Sequence, residues 1–361
     1  MTDHADTAAA REQAWDPNTP IGILTDLAQH PEIGVRAALA QNPAAPPEVL
    51  ANLAGDPKIV VRWQVAKNPT TPGDALVGLA FDPDINLRAY IARNPSAPVG
   101  VLIGLAKDPD SSIRAAVADN HTSPHQVLTQ LAKDPDPLVR SRVAQNPTIT
   151  HQLVAAAAQD PDWVVRSRLA RNPSTAGEVL TALASDPYEW VRASVAANPG
   201  TALAVLTHLA GDPHETVRAE VAGNAATPEA VLAQLAQDPE PWVRSEVAGN
   251  PAASSPVLEE LAAQASEQVK DAACRNPHTP LLVRAHALGL NNGAGRVGDT
   301  FSDEELHVVI TEATTSGKVK AAAMAVLIDR GHKAAVIEAY GSSADRKTRN
   351  ALARVLAELL E

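Results

Sequence analysis

Asparagine returns every 26 residues, at Asn42, Asn68, Asn94, Asn120, Asn146, Asn172, Asn198, Asn224, Asn250 and Asn276, and in most copies proline follows it. A strict period in this range belongs to a tandem array, in which each unit is one supersecondary element that cannot bury its apolar face alone. The fold must then be a stack of neighbours, and function belongs to a surface that the stack repeats. One period before Asn42 stands Asp16 with Pro17, so ten units run from Asp16 to Arg275 and a partial unit starts at Asn276.

The third unit shows what one repeat encodes. Thr71 and Pro72 precede Leu76, Leu79 and Ala80; Asp82 and Pro83 precede Leu87, Arg88, Ile91 and Ala92. Thr71 reads as an N-cap with proline in the first helical position and Asp74 closing a capping box, a pattern repeated by Ser123 with Gln126 and Thr175 with Glu178. Asp82 reads as the cap of a second helix with Pro83 inside it. That helix stops near the next asparagine, because the following proline disfavours helical dihedrals before it. Val49, Leu50, Leu53 and Ala54 share one helical face, as do Val61, Val65 and Ala66, and no long stretch alternates with period 2. The unit is a helical hairpin and the fold class is all-α. Composition agrees, with 45% hydrophobic but only 3% aromatic residues, which suits thin, closely packed helical layers. At each junction the asparagine is expected to satisfy orphan backbone groups where the chain turns; a peptide-binding asparagine row is the alternative.

Arginine keeps the same period, at Arg36, Arg62, Arg88, Arg114, Arg140, Arg166, Arg192, Arg218 and Arg244, with Lys270 last. Each lies between apolar positions of its helix, is expected to be partly buried, and needs a partner. Asp84, Asp110, Asp136 and Asp162 stand four residues before an arginine, the favourable helical spacing. The steadier acid is the one at Asp56, Asp82, Asp108, Asp134, Asp160, Asp186, Asp212 and Asp238, six residues before its own arginine and well off its face. An Asp–Arg ladder between neighbouring repeats is therefore expected, with His30 and Gln264 replacing the acid where the array ends.

The run of Asn172 and Pro173, Val179 and Leu180, Leu183 and Ala184, Asp186 and Pro187, Val191 and Arg192, then Val195 and Ala196 resembles the leucine-rich repeat variant family, and its Asp, Pro, Val, Arg core is similar to HEAT repeats. The resemblance covers residues 16–288. It implies a right-handed α-solenoid of ten 26-residue hairpins, one leg of each α-helical and the other open to a 3₁₀ form. A member of that family carries a cysteine-ligated iron–sulfur cluster before its repeats. No cysteine precedes the repeats here, so no cofactor is expected.

If Val61, Arg62, Val65 and Ala66 face inward, Val60, Trp63, Gln64, Lys67 and their equivalents form an outer stripe, and this stripe varies most. Trp63, Tyr90, Trp190 and Trp242 are its expected contact residues, with packing against the next unit as the alternative. Charge divides the array. Lys58 to Asn172 holds thirteen Lys and Arg against ten Asp, a balance of +3, and Ser174 to Leu261 holds three Arg against twelve acids, a balance of −9. On the stripe the first half presents Lys67, Arg93, Arg142, Arg168 and Arg171, and the second Glu220 and Glu246. Two function classes follow. One is a non-enzymatic scaffold that holds a protein or peptide on the second-helix row. The other is a nucleic-acid binder along the basic half, similar in outline to HEAT-like alkylpurine DNA glycosylases. A net charge of −12 opposes the second.

Catalytic motifs are weak: no Gly-rich phosphate loop is present, and His121 with His125 lacks a flanking acid or cysteine at metal spacing, so no metal is expected. Cys274, the sole cysteine, occupies an alanine slot and reads as a small core residue. Residues 1–15 form an N-terminal tail or cap, polar and without a leader-like apolar core, and no apolar run is long enough to cross a bilayer, so a cytoplasmic location is expected. After the repeats, Gly289, Asn291, Asn292, Gly293, Gly295 and Gly298 mark a linker over 289–300. Helices resume over 301–361 with a capping box at Ser302 and Glu305 and an amphipathic last segment through Leu352, Val355, Leu356 and Leu359. This region is expected to cap the solenoid or to form a dimer contact, which leaves the oligomeric state open.

Overall fold

The computed structural model describes residues 2–264, 266–289, 301–312, 315–341 and 343–358, and among these there is no strand. The chain divides into two compact units, Met1–Val191 and Arg192–Glu361. Unit one opens with helix Thr2–Trp15 and continues in hairpins, from Ile21–Leu27 with Ile33–Gln41 to His151–Ala158 with Trp163–Arg171. Unit two holds the hairpins from Leu203–Leu209 with Glu215–Gly223 to Ser255–Ala262 with Glu267–Arg275, then helix Leu281–Gly289 and the C-terminal helices. Both legs are α-helical, so the 3₁₀ leg implied by the family resemblance is not found among them. The first leg puts residues such as Val49, Leu50 and Leu53 into the core, and the second puts in Val61, Val65 and Ala66. Successive second helices pack side by side, as Ile33–Gln41 does on Ile59–Lys67.

Helix starts differ from the sequence expectation. The second helix begins at Ile85, three residues after Asp82, and its cap is Asp84, whose side chain accepts from the Leu87 N–H. Asp110, Asp136 and Asp162 cap in the same way, through the N–H of Ser112, Leu138 and Val164. These acids are thus committed to a helix start rather than to the arginine one turn on. Asp82 instead accepts from the Asp84 N–H at 2.9 Å, a turn that holds the chain before the helix begins. The first helix likewise starts at Gly73, after Pro72, not at Thr71. Thr71 donates its hydroxyl to the Val65 carbonyl at 2.6 Å, and Ser123 and Thr175 do the same to Val117 and Leu169. The Asn-Pro turn folds these hydroxyls back onto the helix they follow. There they serve open carbonyls instead of the open N–H groups of the next helix.

The asparagine ties neighbours together. The side-chain amide of Asn68 donates to the Ala40 carbonyl at 2.9 Å and the Asn42 carbonyl at 3.0 Å, at the end of the preceding second helix and the turn after it, while its oxygen accepts from the Thr70 N–H. One short arm thus supplies two donors to carbonyls that a helix end leaves open and one acceptor to its own turn. Asn94, Asn120, Asn146 and Asn172 repeat the bonds in unit one, and Asn224, Asn250 and Asn276 in unit two. All are buried, which removes the alternative of a peptide-binding asparagine row. Asn42 finds its two carbonyls at Ala14 and Asp16, so helix Thr2–Trp15 supplies what a preceding repeat would.

Beyond the repeats, Ser302 and Glu305 form the expected capping box ahead of helix Asp303–Thr311. Helix Gly317–Leu327 runs through a π turn, Ile328–His332, into Lys333–Tyr340, and the bend is made at Gly331, whose φ of +92° a side chain would resist. Helix Arg346–Glu358 is last. Cys274 and Ala285 share one apolar cluster with Phe301, Leu306, Met324, Val336, Leu352 and Val355, so the end of the array and these helices have a common core. Lys320 is fully buried there. Its ammonium donates to the Ile310 carbonyl at 2.7 Å, Asp345 Oδ2 at 2.9 Å and Thr348 Oγ1 at 3.0 Å. From the linker expected over 289–300, Gly289 ends a helix; Asn291, Asn292, Gly293, Gly295 and Gly298 lie outside the described residues, as does Leu359.

Candidate functional site

An outward stripe can vary only if something else holds the stack, and the arginine row does part of that. Each arginine reaches the acid of the following repeat: Arg36 to Asp56, Arg62 to Asp82, Arg88 to Asp108, Arg114 to Asp134, Arg140 to Asp160 and Arg166 to Asp186 in unit one, and Arg192 to Asp212 and Arg218 to Asp238 in unit two, at 2.5–3.1 Å. Most are two-pronged, as in Arg114, whose Nε and Nη2 take the two oxygens of Asp134 while Nη1 holds the carbonyl of Asp108 in its own repeat. The planar fork suits this because it donates in several directions at once. Burial pushes the Asp134 carboxyl up, but the Arg114 fork and the Asp136 N–H outweigh it and hold the group below its ordinary value. Asp56 and Asp212 balance the same way, through Arg36 and Arg192. At the last step Arg244 binds the Gln264 carbonyl oxygen at 2.7 Å. Lys270, which ends the series, pairs along its own helix with Glu267.

The stripe residues fall into separate groups. Trp63, Tyr90 and Lys67 come together: the rings meet edge to face at 6.5 Å, Lys67 Nζ lies 4.2 Å from the Tyr90 ring centre, and the Trp63 indole donates to Asp84. Both rings are half-buried, so this pair wedges neighbouring repeats and presents only an edge. Trp190 is 50% exposed. Trp242 is half-buried and, with Glu220 and Glu246, lines a cavity of about 270 Å³ that Ala197, Ala219, Gly223 and Asn224 complete. Among the basic positions, Lys67, Arg93, Arg168 and Arg171 are exposed, while Arg142 is half-buried and lies 3.9 Å from Asp119.

Two features escaped the sequence reading. Trp163 and Tyr188 stack at 6.2 Å and 17°, and the Arg166 guanidinium lies 5.5 Å from the Tyr188 ring. These residues are 25 apart, one short of the period, so they fall in different rows of an aligned array. Phe81 is 76% exposed on the first-helix side and rests near Gly104, where an added Cβ would touch the ring at 3.7 Å. An aromatic in a connecting turn carries no periodic signal. His121 and His125 are both exposed, and among the described residues no group of three or more His, Cys, Asp or Glu could hold a metal. Cys274 is buried, and burial with the nearby Asp271 pushes its thiol up to about 11. Among the described residues no helix is long and apolar enough to cross a membrane.

The family model described as leucine rich repeat variant matches residues 33–58 and 215–240, each one period of this array. These two segments resemble leucine-rich repeat variant repeats. A solved leucine-rich repeat variant with a novel repetitive structural motif is similar at 26% identity over 61% of this chain and 87% of that one, with a TM-score of 0.44. Importin beta is similar at 14% identity over 92% of this chain, which spans 52% of that protein, with a TM-score of 0.33. Kap121p bound to Pho4p is similar at 13% identity over 99% of this chain and 56% of that one, again with a TM-score of 0.33. No curated protein matches the chain. The two matched segments begin at the second helix and end after the Asp-Pro turn of the next repeat, so they span one Arg–Asp tie each.

Proposed function

We propose that the protein is a non-enzymatic scaffold that holds a segment of a protein partner on the outer face of its second helices. The observation that carries this reading is the split within each second helix. One face is spent on packing, the arginine tie and the buried asparagine, and the other presents Trp190, Arg168 and Glu246 to solvent with no repeated structural duty. Aromatic and arginine side chains on an exposed face are those that contribute most to protein recognition. The functional array is taken to be the ten 26-residue units of the sequence period.

The reading is tested by screening a library of unstructured peptides for binding to the full chain, then repeating with Trp190→Ala and Trp242→Ala. Selected peptides should bind each variant at least about tenfold more weakly where that indole is a contact, the loss of an interface anchor worth over 1 kcal/mol. Peptides that bind both variants as tightly as the parent would remove these tryptophans from the surface. A low-salt mobility-shift titration with single- and double-stranded DNA and RNA belongs beside it. Tight, salt-sensitive binding there would favour the basic-half reading through Lys67, Arg93, Arg142, Arg168 and Arg171.

A further inference from the structure

One cavity on the second-helix face of unit two has a chemistry of its own. It is lined by Trp242, by Glu220 and Glu246, which sit one repeat apart, and by the small residues Ala197, Ala219 and Gly223 with Asn224. A Cβ on Gly223 would stand 3.3 Å from Glu246 Oε2, so the glycine lets that carboxylate lie close against the helix end. Burial and the neighbouring Glu220 push the Glu246 carboxyl above its ordinary value. Among the described residues, none donates a hydrogen bond to Glu246 and no cation pairs with it. The Glu246 carboxylate thus lies beside a like charge and Trp242 without a counter-ion of its own, an arrangement that an incoming cation relieves. The surrounding sequence, Ser174 to Leu261, has a balance of −9, which draws in a basic partner from a distance.

We infer that this cavity is a subsite for an arginine side chain of the partner segment, its guanidinium stacked on Trp242 and bonded to Glu220 and Glu246. A cavity of about 270 Å³ admits one such side chain. The planar guanidinium matches both walls, since it stacks on an aromatic face and donates in a fork to carboxylates. This inference rests on the scaffold reading and narrows it, because it fixes the charge of the segment that unit two receives.

The test is an NMR titration of the full chain, following the indole N–H signals, with N-acetyl-arginine methylamide as the probe and its uncharged citrulline counterpart as the control. Trp242→Phe assigns the signal. The Trp242 signal should shift saturably with the arginine probe while that of Trp63 stays in place, and the citrulline compound should leave both unmoved. The double variant Glu220→Gln, Glu246→Gln should weaken the response at least about tenfold, the loss expected for a charge-assisted hydrogen bond. Unchanged remaining indole signals will show that the variant is folded. No shift at Trp242, an equal shift with citrulline, or an undiminished response in the double variant would each overturn the subsite. The scaffold reading fails separately. If library peptides bind the double variant unchanged, the scaffold stands without this pocket; if the arginine probe titrates Trp242 but no peptide binds, the pocket stands without the scaffold.

Discussion

In the repeats the arginine and asparagine ties are shared between neighbours and return every 26 residues, whereas among the described helices from Asp303 to Glu358 the ammonium of Lys320 makes three buried ties that occur once. The difference is one of redundancy. A stack can lose one arginine or asparagine and keep the ties on either side, because its stability is a sum over adjacent pairs. Lys320 joins the end of helix Asp303–Thr311 to the start of helix Arg346–Glu358, and Thr348 adds one longer bond of its own, 3.4 Å to the same Ile310 carbonyl. A fully buried lysine also has no water to fall back on, so its three partners must all be present.

The largest effect should therefore come from Lys320→Ala. It removes a buried stem and three charge-assisted hydrogen bonds, leaving the Ile310 carbonyl only the longer bond from Thr348, a loss of about 4 kcal/mol from packing and hydrogen bonding together. Hydrogen exchange should show helices Asp303–Thr311 and Arg346–Glu358 released while the hairpins of unit one keep their protection. Asn120→Asp comes next. The shape is kept, but both donors to Ala92 and Asn94 become acceptors, so urea unfolding should report a cost of about 3 kcal/mol. A larger cost here than at Lys320 would reverse the contrast between shared and single ties.

Arg114→Lys keeps the charge and loses the fork to Asp134, with an expected cost of about 1 kcal/mol in the same assay. A neutral outcome would mean that charge alone holds the rung. The pH dependence tests all rungs together. The folded-state pKa values of Asp56, Asp134 and Asp212 are lowered, so the unfolded chain binds protons first as pH falls. Their contribution is fully present at neutral pH, begins to decline near the unfolded aspartate value of about 3.9, and is lost as pH falls through the lower folded values. Urea midpoints measured from pH 7 down to pH 2 should stay level and then fall below about pH 4. A decline starting near pH 6 would point to histidines instead. The smallest effect concerns Cys274: buried, with its thiol pushed up to about 11, it should not react with a thiol reagent at pH 8 until urea unfolds the array. Rapid labelling in the native state would show that the shared core of Cys274 and the C-terminal helices opens readily.

Much of the repeat was legible because its causes are local and repeated. Proline after asparagine ends a helix wherever it occurs, and apolar residues three and four apart mark the buried face of each leg. The caps were misplaced for a physical reason: Thr71 and Asp82 carry the right groups for an N-cap, but each had a second customer across a turn, the Val65 carbonyl and the Arg62 fork. Sequence spacing cannot rank two partners when one is reached only after the chain has folded back. The same holds for the candidate site. Trp242, Glu220 and Glu246 could each be placed on an outer stripe from the period, but that they wall one cavity depends on the distance between adjacent second helices and on the bare Cα of Gly223.

By itself, then, the sequence determined the unit, its two helices, its inward stripe and the array's charge division, since these follow from residue type and spacing along one chain. The tertiary structure decided the partners of Asn68, Arg114 and Lys320, because a hydrogen bond is chosen by distance and direction between groups that sequence separates by 10 to 28 residues.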